Sequence, residues 1–91
     1  MSMKKTAIWK FKLSPDLIQK VTIPECADCL SVGLDPRNNL CLWAAVPDIE
    51  AVTTQVTVYA LPTGNGPLPP ESAAFLGTVK DGSYMVHIWI D

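Results

Sequence analysis

Apolar side chains in this sequence recur at every second position, and no stretch sustains the rhythm of a helix. In residues 6–13, Ala7, Trp9, Phe11 and Leu13 point one way and Ile8, Lys10 and Lys12 the other. One buried face and one mostly wet face predict a strand. The lysines predict that it lies at a sheet edge, where charge discourages edge-to-edge pairing. Ser14-Pro15-Asp16 breaks the pattern, and residues 17–20 are too few for more than a single helical turn. Residues 19–23 read as a short strand ended by Pro24, with 25–29 as a connector. In residues 30–34, Leu30, Val32 and Leu34 share one face, and Ser31 and Gly33 the other. A glycine inside a strand marks a bulge or a neighbour's close approach. Asp35-Pro36-Arg37-Asn38-Asn39 has the composition of a turn.

Residues 40–46 are apolar on both sides, with Leu40, Leu42, Ala44 and Val46 against Cys41, Trp43 and Ala45. Such a strand is central, or it faces a partner subunit. Residues 47–51 read as a loop, and the Thr, Val and Tyr of residues 53–61 as a strand. Residues 62–72 carry four prolines and two glycines, which excludes a regular ladder there. The chain then gives its strongest local signal. Two β-branched and aromatic runs, 73–80 and 83–90, flank Asp81-Gly82, predicting a hairpin whose type I′ turn takes its positive φ angles at that pair. Its second run is apolar on both sides, which places it centrally. These elements predict an all-β fold: a single small antiparallel meander or sandwich of six or seven strands spanning 1–91. Short loops are expected to join neighbouring strands, with the Pro/Gly loop crossing an end of the sheet.

Composition changes the picture in one respect. A chain of 91 residues buries only ~60–65% of its unfolded surface. Here 48% of residues are hydrophobic and 18% charged, so apolar surface remains, and a homo-oligomer would cover it. A net charge of −2, a pI near 5.1 and no basic run beyond Lys4-Lys5 leave nothing to attract nucleic acid. No segment approaches the ~20 apolar residues that cross a bilayer. The start resembles a signal peptide, but Lys10 and Lys12 interrupt its apolar part. Three cysteines, an odd number, fit a reducing compartment, so a cytoplasmic protein is expected.

Candidate chemistry is sparse. Cys26-Ala27-Asp28-Cys29 has the spacing of a zinc or redox pair, and Cys41 and His87 would have to complete a metal site. A redox version wants a helix after the motif, where this chain has a strand, so structural cysteines are expected and no cofactor. His87 lacks a second histidine, and no carboxylate pair or nucleophile–base spacing stands out; a non-enzyme is expected. The loop Thr63-Gly64-Asn65-Gly66 is the candidate ligand site, because glycines let backbone N–H groups approach an anion while Thr and Asn add donors. It lacks the ending of a phosphate-binding P-loop. Tyr59, His87 and Trp89 join the candidate site, the aromatic rings as surfaces for a base to stack on.

Several stretches together resemble a family of small phage and prophage β proteins with no assigned activity. They are Ile8-Trp9-Lys10-Phe11, Leu40-Cys41-Leu42-Trp43-Ala44, Thr63-Gly64-Asn65-Gly66-Pro67-Leu68-Pro69, Phe75-Leu76-Gly77-Thr78-Val79 and Val86-His87-Ile88-Trp89. The likeness covers nearly the whole chain and implies a phage setting. The chain departs from that pattern at Cys26 and Cys29, and at Asn65-Gly66, where a histidine is common. The function expected is binding: capture of a nucleotide-like host molecule, or inhibition of a host defence component. The alternative is an accessory module that docks a host protein or its own copies through an apolar face.

Overall fold

The structure, a computed structural model, describes residues 4–47, 52–64 and 66–91. It holds seven strands: β1 (Lys5–Lys12), β2 (Ile18–Pro24), β3 (Asp28–Leu34), β4 (Leu40–Pro47), β5 (Thr53–Pro62), β6 (Ala74–Asp81) and β7 (Tyr84–Ile90). They form two antiparallel sheets, β1-β4-β3 and β2-β5-β7-β6. Among the described residues there is no helix, hence none long and apolar enough to cross a membrane.

Alternation along the strands builds the core. Leu42 of the first sheet meets Val58, Ala60 and Ile88 of the second, with Leu13 closing one end; all five are buried. Phe11, Val32, Val56, Leu76 and Val86 pack around them. The two sheets therefore form a sandwich, and the fold is only 16 Å across in its thinnest direction. On the far side of each sheet the register turns the opposite residues outward. β1 is an edge strand, as its lysines predict, and β4 and β7 are interior, as their two apolar faces predict.

The connections differ from expectation. Only β3–β4 and β6–β7 are hairpins between sequence neighbours within a sheet; β1 to β2, β2 to β3 and β4 to β5 change sheets. The first change occupies residues 13–17. Leu13 N–H still donates to Leu40 O at 2.9 Å, while Leu17 O already accepts from Ala60 N–H at 2.7 Å. Gln19 holds this corner by reciprocal bonds with Ser14, its Oε1 accepting from the backbone N–H and its Nε2 donating to the carbonyl. The Pro/Gly loop joins β5 to β6, which flank β7 and run parallel to each other. It leaves with Pro62 opposite Val86 and arrives with Ala74 opposite Ile90, so it spans the length of β7 and does not cross one end of the sheet as expected.

Three local expectations need correction. β3 begins at Asp28 and carries a bulge between Cys29 and Ser31, which puts Leu30 outside, 52% exposed, while Val32 faces the core. The bulge is thus not at Gly33, and an added Cβ there would make only ordinary contact with the Trp43 ring at 3.5 Å, so the glycine marks neither a bulge nor an unusually close approach. The terminal turn is shifted by one residue. Asp81 pairs with Tyr84, and the loop is Gly82-Ser83 with positive φ at Gly82 alone. A positive φ at the first loop position only is the sign pattern of a type II′ turn. The loop expected at 47–51 lies outside the described residues except Pro47, which ends β4.

Candidate functional site

Because Val58, Ala60 and Ile88 face the core, Tyr59, Leu61, His87 and Trp89 face out from the second sheet. Register aligns them in rows across the strands. Ile18, Tyr59, Trp89 and Phe75 form one row; Leu61, His87 and Thr78 form the next. Phe75 meets Trp89 edge-on, ring centroids 5.2 Å apart at 61°, which is a favoured aromatic geometry.

His87 is clamped. Its Nε2 lies 2.7 Å from Thr63 Oγ1 and its Nδ1 2.9 Å from Thr78 Oγ1. A hydroxyl donates or accepts, so the pair serves either tautomer of the ring. Thr63 is held a second time, its N–H donating to Met85 O at 3.3 Å. The root of the Pro/Gly loop is thus tied to β7, and the loop rises over the sheet's outer face.

Between loop and sheet lies a pocket of about 380 Å³. Leu61, His87 and Trp89 make its floor, Leu17 and Ile18 one wall, and Pro62, Thr63, Gly64, Gly66, Pro67 and Leu68 the other. That volume is in the range of small-molecule sites. Of the residues singled out from sequence, Thr63, Gly64, Gly66, His87 and Trp89 come together here. Tyr59 sits beside Trp89 in register but outside the lining, and Asn65 lies outside the described residues. Leu17, Ile18, Leu61, Pro62, Pro67 and Leu68 were missed. Leu17 and Ile18 reach the pocket because β2 pairs with β5, and Leu61 and Pro62 because β5 pairs with β7, contacts no local pattern announces.

The walls are mostly hydrocarbon and carry no carboxylate or amine. Both His87 nitrogens are engaged by threonine hydroxyls, so the ring is not a ready ligand to a metal. What the pocket offers is an apolar slot with the Trp89 side chain in its lining.

The cysteines lie elsewhere. Cys41 is on the outer side of the first sheet, so the sandwich separates it from His87. Its Sγ lies 3.4 Å from Asn39 O and 3.8 Å from Asp35 Oδ2. Burial, then the Asp35 charge, pushes this thiol up; burial, then Asp28, does the same to Cys29. Both shifts favour the inert thiol over the reactive thiolate. Among the described residues no three His, Cys, Asp or Glu side chains gather around a common metal position.

Asp35 organises the β3–β4 turn. Its Oδ1 accepts from the N–H groups of Arg37 and Asn39, each at 2.9 Å, and its Oδ2 lies 3.0 Å from Lys10 Nζ. The Asn39 backbone bond, followed by Lys10, holds this carboxyl well below the usual carboxylate range.

A family model described as a domain of unknown function (DUF7352) matches residues 3–91. No curated protein and no solved structure matches the chain.

Proposed function

The chain belongs to this DUF7352 family, which assigns no activity, and we propose from its geometry that it is a non-enzymatic binding protein of phage origin, working in the host cytosol by holding a small molecule under the proline loop. The observation that carries this reading is the 380 Å³ pocket with Trp89, Leu61 and the clamped His87 as its floor. A planar ring fits such a slot, and stacking on an indole contributes about 1–3 kcal/mol per base in proteins that hold nucleobases this way. A nucleotide-like ligand would place its base inside and leave its phosphates in solvent, because the walls supply no cation. The likeness to small phage proteins supports sequestration of a host signal, or inhibition of a host defence component, as the purpose of such binding.

Isothermal titration with nucleosides, cyclic mononucleotides and cyclic dinucleotides tests this. One class is expected to bind, and Trp89→Ala to weaken it at least about tenfold, equivalent to 1.4 kcal/mol. Absence of heat with every ligand, using folded protein, removes the nucleotide-like version.

A second reading, an accessory module working through an apolar face, is favoured by the large hydrophobic side chains exposed on the outer side of the same sheet.

A further inference from the structure

Ten large hydrophobic side chains are exposed among the described residues, and five of them gather on one face. Ile18 (60% exposed), Phe75 (56%) and Met85 (44%) project from the outer side of β2, β6 and β7, and Leu17 (57%) and Leu68 (80%) rim the pocket on that side. At roughly 200 Å² for a fully exposed large side chain, they present about 600 Å² of apolar surface, the upper end of what a monomer leaves uncovered. A standard self-association interface takes about 800 Å² per partner, and homodimer interfaces are roughly 65% apolar, so this patch supplies what one needs. Charge is placed to match: the rows through Trp89 and His87 hold no Asp, Glu, Lys or Arg, while Lys20 and Lys80 lie in the flanking rows. An uncharged centre with a polar rim is the usual anatomy of such a contact.

We propose that this face is the interface with a second copy of the chain, and that the second copy completes the pocket. In a two-fold contact the same patch meets itself. The pocket is open on this face, with Leu68 at its rim, so the partner's apolar rim, Leu68 of the partner subunit included, becomes the missing wall. The inference rests on the small-molecule reading above and deepens it: the ligand is an uncharged planar group enclosed between two copies, or the uncharged end of a larger molecule.

Sedimentation equilibrium on the full chain, with binding of the neutral fluorescent probe N-phenyl-1-naphthylamine measured in parallel, tests both parts. Wild type is expected to be dimeric at micromolar concentration. Phe75→Lys, outside the pocket lining, is expected to be a folded monomer. Ile8→Lys, on the outer face of the other sheet, is expected to remain dimeric. The probe should bind the Phe75→Lys monomer about tenfold more weakly than the dimer, the equivalent of one lost apolar wall residue. A monomeric wild type overturns the interface even if the probe binds. So does a dimer that survives Phe75→Lys and dissociates in Ile8→Lys. Equal probe affinity in monomer and dimer overturns the completion of the pocket. A well-behaved dimer that holds no probe overturns the enclosed ligand, and with it the small-molecule reading, while the interface stands.

Discussion

Asp35 is buried, charged and fully used: two backbone donors, the Asn39 amide and Lys10 converge on one carboxylate. Its folded pKa lies below its unfolded one. The stability it contributes is therefore present above the ordinary carboxylate range and lost as pH falls toward the folded value. Asp35→Ala should be clearly less stable than wild type in urea at pH 7, and the gap should narrow steadily below about pH 4. A gap independent of pH would show that the side chain matters here for its shape and not its charge. His87 gives a second case. Thr78→Val removes the Nδ1 partner and is expected to cost about 0.5–1.5 kcal/mol. Ring ¹⁵N shifts should report a changed tautomer balance, because Thr63 alone then sets it. Sequence singled out Thr63 and His87 as site residues, since a glycine-flanked threonine and a lone histidine stand out in composition. It did not join them. Their contact spans 24 positions and follows from β5 pairing with β7, and Thr78 enters only through the register of β6.

At the scale of elements, strand positions were legible and their irregularities were not. Alternation in β1 marks the core face correctly at Phe11 and Leu13 but not at Trp9, which lies on the same side and is 52% exposed, while the two apolar faces of β4 and β7 told only that these strands are interior. In β3 one extra residue at Leu30 inverts the parity that alternation assumes. The terminal turn failed for a related reason. Asp81-Gly82 and Gly82-Ser83 both make acceptable two-residue loops, and strand register, not turn chemistry, chose between them. With φ of +64° at Gly82, Gly82→Ala should cost about 1–2 kcal/mol, the penalty of placing a Cβ in the left-handed region. Ser83→Ala, at a position without positive φ, should stay within about 0.5 kcal/mol. Equilibrium urea unfolding of the two variants separates these; a loss at Gly82→Ala no larger than at Ser83→Ala would show that the turn does not depend on the positive φ at Gly82.

For the whole molecule, stability rests on a core one side chain deep. Ile88 is fully buried where the two sheets meet. Truncating it to Ala should cost about 2–5 kcal/mol. Against a total of roughly 5–15 kcal/mol for a domain, thermal unfolding of Ile88→Ala should move far down the scale or lose its cooperativity. A shift of only a degree or two would mean that the sheets are held mainly at their edges. The all-β class followed from periodicity alone, but the division into two sheets did not. Three of the five strand pairings, β1–β4, β2–β5 and β5–β7, join strands that are not consecutive, and alternation reads the same whichever partner a strand takes. That division has an effect on how the protein is made. All three strands of the first sheet lie within residues 5–47, whereas β2, threaded between them in sequence, belongs to the second sheet. A nascent chain leaving the ribosome can therefore close one layer while β2 trails beside it unmatched, until translation delivers β5. Slowing the ribosome between those points would lengthen the time that this greasy ribbon stands open to capture by chaperones.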